Sequence, residues 1–418
     1  MIIMTSVDLH DFTVAARAWL KANASPRVEA SADWGVGSED VSVFRDLSEA
    51  EEHEYLDRLM AWQRLKFDAG YGAIDWPLEL GGAGLPAEFE RAFAQEEEAF
   101  ETPPGHEIFT VTTRLVAPTI RACGTRQQKE RFVRPFVRGE ELCCQLFSEP
   151  GAGSDLAGVG TRAVRDGDEW VVTGQKVWSS GAKFAQWGEV ICRTDPDVPK
   201  HAGITVFLLP LDLPGVEVRP IRQMSGGASF NEVFLDEVRI PDSLRLGEVD
   251  EGWKVTLVTL AFERASSGGD RVDERGGTWD QALALARWLN STDDPVVRQR
   301  LASLYTLDCI RGYHARRAST PPKGEGAPGA VGSLGKLQWT RWMSAVSDVV
   351  SELLGPRLIA DTGEWGTFAW TKHVLGAPGY RIAGGSDEIQ RTIIGERLLG
   401  LPAEPRVDRD VPFSRVSR

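Results

Sequence analysis

Ser148-Glu149-Pro150-Gly151-Ala152-Gly153-Ser154-Asp155 is followed, after a polar alternating segment, by Gly174-Gln175-Lys176-Val177-Trp178-Ser179-Ser180-Gly181. The first stretch puts small residues where a loop can come close to a ligand. Gly151 and Gly153 allow backbone N–H groups to face an acceptor-rich ring or a phosphate, and Ser148 and Ser154 add hydroxyls. The second stretch has strand character and delivers an aromatic, Trp178, beside the hydroxyls of Ser179 and Ser180. Together they describe a wall against which something flat and polar can lie. A plain cluster of turns, with Trp178 in the core, is the competing reading.

Outward from this pair the chain changes character on both sides. Residues 7–139 read as helical: Phe12, Ala15, Ala16 and Leu20 recur at helical spacing, and further helices are expected over 47–68, 87–100, 108–122 and 127–138. The acidic run Glu96-Glu97-Glu98 reads as a solvated helix face. Residues 140–250 hold short β-branched runs at 170–173, 188–193, 204–209, 216–218 and 231–235, split by Gly, Pro and Asp turns. That is the pattern of a compact, mostly antiparallel β domain. It has no βαβ alternation, so a Rossmann arrangement does not match despite the glycines. Residues 251–402 return to helices, expected over 253–265, 279–289, 296–317, 335–354 and 388–399, with a Pro- and Gly-rich loop over 320–332. Residues 403–418 read as a tail that packs on a neighbouring subunit.

Composition narrows the class. A chain of 418 residues has room for two or three packed regions. A formal charge of -14 argues against a nucleic-acid partner, since a phosphate backbone calls for a concentrated basic surface, yet it allows a local basic pocket for one anionic ligand. No apolar run reaches the ~18 residues that would span a membrane. Cys123, Cys143, Cys144, Cys192 and Cys309 show neither CxxC spacing nor a secreted pattern, which favours a reducing compartment. The apolar start is cut short by Asp8 and Asp11, so no leader is expected and the location reads as cytoplasmic. The scattered histidines include no HExxH, and no metal site is expected.

Two further groups can carry chemistry. Glu263-Arg264 lies in a helix otherwise lined by Trp253, Leu257, Leu260 and Ala261. Its carboxylate either points to water or an arginine, or is a desolvated general base fitted to removing a weakly acidic C–H proton. Gly384-Gly385-Ser386-Asp387-Glu388-Ile389-Gln390-Arg391 is a glycine turn feeding a capped helix, which can hold a pyrophosphate or simply begin the helix.

With these motifs in order, residues 10 to 400 resemble the acyl-CoA dehydrogenase family. The signatures are Ser148 to Asp155, Gly174-Gln175-Lys176-Val177-Trp178-Ser179, Asn231-Glu232-Val233-Phe234 and Ser386-Asp387-Glu388-Ile389-Gln390-Arg391. The resemblance implies an acyl-CoA dehydrogenase-like fold: an N-terminal helical domain (7–139), a middle β-barrel domain (140–250), a C-terminal four-helix bundle (251–402) and a tail (403–418). It implies one non-covalent FAD per subunit and a homo-oligomer, dimer or tetramer, with a hetero-oligomer as the other assembly. Carried over residue by residue, Gln145, Phe147, Ser148, Gly153 and Ser154 would contact the flavin, with Ser154 also near the pantetheine of acyl-CoA. Trp178 would cover the isoalloxazine, Ser180 would lie near flavin N5, and Ser386 and Glu388 would approach the pyrophosphate or adenosine.

The departures decide the chemistry. Many members place the catalytic glutamate just before the turn of the terminal helix, where this chain has Gly384. A minority, the isovaleryl and long-chain types, use a glutamate before an arginine on the first helix after the β domain, which Glu263-Arg264 matches. The implied reaction is removal of the C2 proton of an acyl thioester by Glu263 as hydride leaves C3 for flavin N5. Gly384 or Gly385 would offer a backbone N–H to the thioester carbonyl, and Arg264 lies on the substrate side. A glycine at 384 leaves room for a branched or bulky acyl group, and an electron-transfer flavoprotein would take the electrons. The family's Arg-x-x-Phe-Gly element is absent from 291–300, where Arg298 or Arg300 stands instead, and Glu352-Leu353-Leu354-Gly355-Pro356 replaces a glutamine and Gly-Gly element near FAD. The competing functions are a flavin-dependent monooxygenase or oxidase on the same fold, and a non-catalytic subunit of a hetero-oligomeric dehydrogenase.

Overall fold

Two helical regions enclose a sheet. The computed structural model describes residues 8–28, 41–44, 47–266, 277–318, 328–360 and 369–416. The N-terminal helices are α1 (Leu9–Asn23), α2 (Glu49–Asp68) and α3 (Ala87–Glu97), followed by shorter pieces. Of these, α4 (Glu107–Thr110) and α5 (Ala117–Cys123) are joined by a π-helical stretch at Val111–Val116, and α6 (Arg126–Gln128) and α7 (Arg134–Arg138) by another at Lys129–Val133. Each stretch sits just before a proline, Pro118 or Pro135. A proline ring collides with the carbonyl four residues back and supplies no N–H, and widening that turn relieves both problems.

The middle region has eight strands: β1 (Cys143–Leu146), β2 (Arg162–Asp166), β3 (Glu169–Ser180), β4 (Trp187–Arg193), β5 (Ile204–Pro210), β6 (Val216–Ile221), β7 (Phe230–Pro241) and β8 (Arg245–Leu246). Their order is β6-β7-β3-β2-β4-β5-β8, with β1 paired to β4. Most pairings are antiparallel as expected, but β1 joins β4 in parallel, which sets Gln145 beside Glu189. The strands β4 and β5 are buried on both faces, so they read as near-continuous apolar runs.

The C-terminal region comprises α8 (Gly252–Ser266), α9 (Trp279–Trp288), α10 (Pro295–Ala318), α11 (Pro328–Leu354), α12 (Ala369–Tyr380) and α13 (Asp387–Ile393), the last continuing as a π-helical stretch to Leu398. Met343, Val346 and Val350 of α11 pack with Leu285 of α9 and Trp370 of α12 in one core. The helix α8 packs on α5 and β5, so it belongs to both the bundle and the wall of the β domain.

Three expectations are corrected. The run Glu96-Glu97-Glu98 is not a solvated face: Glu97 is buried, 2.7 Å from Trp62 Nε1 and 3.1 Å from Lys66 Nζ, and Glu96 pairs with Arg17. The helix α12, with Pro378 inside it, was not expected at all. Part of the 320–332 loop is helical, since α11 begins at Pro328, while 319–327 lies outside the described residues. Within its own chain, the tail packs on the β domain: Lys200 Nζ holds Asp408 at 2.6 Å, and the N–H of Phe413 donates to the carbonyl of Val198 at 2.9 Å.

Candidate active site

The Ser148–Asp155 loop is held down by its own charges. Lys176, fully buried on β3, reaches Glu149 at 2.8 Å and the Phe147 carbonyl at 3.1 Å. The N–H groups of Gly160 and Thr161 donate to the same Glu149 carboxylate, at 2.6 and 2.8 Å. Burial opposes ionisation of Glu149, but Lys176 and these donors hold its pKa below the ordinary value. A buried ion pair of this kind is secure only when hydrogen bonds complete it, as they do here. Two signature residues therefore act as a clamp, and the exposed Gly151, Gly153 and Ser154 are presented by it.

The clamp continues into a bulge. The register of β3 against β7 shifts between Lys176 and Ser179, and Trp178 inside it has φ 62°. A bulky L-residue seldom adopts this left-handed conformation, because Cβ crowds the following carbonyl. Trp178 is 58% exposed, so core packing does not explain it; it presents a ring outward, with Phe230 edge-on at 6.0 Å. Close by, Ser179 Oγ is buried with no hydrogen-bond partner among the described residues. A Cβ added at Gly151 or Gly153 would meet nothing within 4 Å. Strain, an outward ring, open space and an unanswered hydroxyl together fit a flat, heteroatom-rich group such as a flavin.

Glu263 comes from α8. A Cβ built on Gly384, which has φ 65°, would stand 3.2 Å from Glu263 Oε1. Burial raises the pKa of Glu263; the Gln145 amide, Arg264 and Lys336 oppose the rise and Glu107 adds to it. The Gly384-Gly385 turn is fixed from behind. Lys336 Nζ donates to the Gly385 carbonyl at 2.8 Å, and Gln390 Nε2 donates to the Gly384 carbonyl at 2.8 Å. Asp387, also buried, accepts from Thr340 Oγ1 and Arg381 Nε, each at 2.9 Å. Gln145, Glu263, Arg264 and the Gly384-Gly385 turn thus converge.

Other expected residues stand apart. Ser386 Oγ caps α13 by accepting from the Ile389 N–H at 3.4 Å, and Glu388 is exposed against Arg391. Ser180 ends β3, paired with Phe230. Arg300 and Glu352, both departures from the family pattern, pair with each other at 2.8 Å between α10 and α11. A cavity of about 850 Å³ opens beside α8, lined by Trp253 and Leu257, by Pro199 and His201, and by Arg397, Arg406 and Arg409. The charge of Arg397 reaches Arg264, so the basic mouth and the Glu263-Arg264 pair lie within electrostatic range.

Sequence reasoning missed Lys336, Asp387 as a buried anchor, and Glu189. Glu189 left one signal, a carboxyl directly before the apolar run Val190-Ile191-Cys192.

Comparison with known proteins identifies the family. The chain matches the acyl-CoA dehydrogenase N-terminal domain over residues 39–140, the middle domain over 144–238 and the C-terminal domain over 250–399. It is 37% identical over 401 residues to acyl-CoA dehydrogenase IpdE1 of Mycobacterium tuberculosis, covering 96% of this chain and 99% of that protein. Among solved structures, the Tcur3481-Tcur3483 steroid ACAD superposes with a TM-score of 0.70 at 26% identity, covering 97% of this chain and 100% of the other. The ChsE4-ChsE5 complex from Mycobacterium tuberculosis gives the same TM-score of 0.70, identity of 26% and coverage of 97% and 100%. The chain belongs to the acyl-CoA dehydrogenase family.

Proposed function

We propose that this chain catalyses the FAD-dependent α,β-dehydrogenation of a branched or ring-bearing acyl-CoA, with Glu263 as the base. The observation that carries the reading is the Glu263 carboxyl lying against Gly384, 3.2 Å from where a side chain there would begin. A carboxylate on α8 then faces the turn from which the commoner base position has lost its side chain. Bound FAD supplies the acceptor for the hydride that leaves C3. Gln145, Ser148, Ser179 and Trp178 would hold its ring, with the Glu149–Lys176 clamp fixing the loop beneath.

Glu263 breaks the C2–H bond and keeps the proton, and the electron pair of that bond becomes the new C2–C3 π bond. Its raised pKa makes it a stronger base than a solvated carboxylate, which suits a weakly acidic C–H. Backbone N–H groups of the Gly384-Gly385 turn would polarise the thioester carbonyl, a role that Lys336 supports by fixing the turn. Arg397, Arg406 and Arg409 suit the phosphates of CoA at the cavity mouth, and Trp253 and Leu257 suit its apolar stem. The absent side chain at 384 favours a bulky acyl group, and the likeness to a steroid ACAD points the same way. We place the protein in an assembly with a second chain of its own fold, and assign an electron-transfer flavoprotein as acceptor.

The test is anaerobic mixing of FAD-loaded protein with a panel of acyl-CoAs while flavin absorbance is followed. Bleaching by branched or ring-bearing thioesters and not by short straight ones is expected. No bleaching by any acyl-CoA, with rapid reoxidation of chemically reduced flavin in air, would favour an oxidase or monooxygenase. Protein that takes up no FAD would favour a non-catalytic subunit.

A further inference from the structure

Glu189 has no role in the scheme above, and its surroundings are unusual. It lies in the middle of β4 and is fully buried. Thr259 Oγ1 of α8 donates to its Oε1 at 2.7 Å, while its Oε2 has no partner. The Thr259 hydroxyl is backed by Thr119 Oγ1 of α5 at 3.1 Å. Among the described residues, the charge that acts on the Glu189 carboxyl is that of Glu263. Two registers explain the proximity. Thr259 and Glu263 are four residues apart and therefore on one face of α8. Gln145, whose amide faces Glu263, is the direct β1 neighbour of Glu189.

A carboxylate in such a place would be a desolvated anion with one donor, facing a second anion. Two carboxylates sharing desolvated space do not both ionise, and the pair titrates as a unit. We propose that Glu189 is a second acid of the active site, a neutral positioning residue coupled to Glu263, so that the pair carries one negative charge in the working enzyme. The negative charge then stays on the oxygen that faces Gly384, where the substrate's C2 is held in the dehydrogenase reading, on which this inference rests. Ionisation of Glu189 would add a second charge beside the base and the flavin and would oppose arrival of a hydride there.

The groups around the pair fit this assignment. Burial pushes Glu189 up to about 8, with Thr259 opposing and Glu263 adding to the rise. On β1, the Cys143 thiol is driven well up, chiefly by burial, and also by Cys144 and Glu189. On α5, Cys123 is raised by burial and by Glu189. Neither thiol supplies a positive charge, and Arg264 and Lys336 act on Glu263.

The test is infrared titration of the carboxylic-acid band in FAD-loaded protein, assigned by its loss in Glu189→Gln. The band should be present at neutral pH and vanish near pH 8. In Glu263→Gln, which removes the neighbouring charge, the midpoint should fall by about one pH unit or more. Thr259→Val removes the donor that favours the ionised form and should move the midpoint upward, which keeps the question answerable if Glu189→Gln does not fold. Absence of the band at neutral pH, or a midpoint unmoved by Glu263→Gln, overturns the proposal. These readings need no substrate, so a chain bleached by no acyl-CoA would sink the dehydrogenase reading without deciding this one. With substrate, the alkaline fall in bleaching rate should flatten in Glu189→Gln.

Discussion

At the scale of single residues, the active side of the fold is marked by what is missing or strained. Gly384 combines φ 65° with a would-be Cβ 3.2 Å from the Glu263 carboxyl. Gly384→Ala should therefore strain the turn and displace the base, slowing flavin bleaching about tenfold or more, or ~1.4 kcal/mol in the barrier; stopped-flow absorbance reads this directly. Trp178 gives the opposite balance. Trp178→Gly relieves a left-handed backbone and should leave the melting temperature equal or higher, since such strain costs roughly 1–2 kcal/mol, yet it should perturb the flavin spectrum by uncovering the ring. The Glu263-Arg264 pair and the loss at Gly384 could be read from sequence because a motif fixes their positions. Glu189 could not, because its meaning depends on a parallel β1–β4 register that brings Gln145 beside it.

At the scale of elements, the Glu149–Lys176 pair ties the Ser148–Asp155 loop to β3. Lys176→Met leaves a buried carboxylate without its cation and should cost about 3–5 kcal/mol in chemical unfolding. The sign of its pH dependence follows from the depressed pKa of Glu149: the stability it contributes is present above the ordinary glutamate range and is lost as pH falls through the lower folded value. Acid unfolding should thus begin at higher pH when the clamp is removed. Periodicity found the long helices and the central strands, where one face is apolar. It failed on β1 and β2, which are short, and on α12, where Gly376, Pro378 and Gly379 argue against helix locally while Trp370 and Ala377 hold it in the bundle core. The acidic run misled for the same reason: Trp62 and Lys66, distant in sequence, supply the partners that bury Glu97.

At the scale of the whole molecule, the tail joins what the domains separate. Ala403, Glu404, Pro405, Arg406, Arg409 and Asp410 of the tail line the cavity beside α8, and Lys200 anchors the tail to the β domain through Asp408. Replacing Arg406 and Arg409 by Ala should raise the Kd for acyl-CoA about tenfold or more, since charge-assisted hydrogen bonds contribute ~1.5–3 kcal/mol each, and the loss should shrink at high salt. Titration of the bound flavin's spectrum measures it. Sedimentation of the FAD-loaded protein should give a dimer or a tetramer; a monomer would count against the proposed assembly.

The most direct measurement is the reductive half-reaction of Glu263→Gln, mixed anaerobically with an acyl-CoA that bleaches the unsubstituted protein. The substituted protein should still perturb the flavin spectrum on binding but bleach several orders of magnitude more slowly, at ~1.4 kcal/mol of barrier for each tenfold. Near-normal bleaching would contradict the assignment of Glu263 as the base.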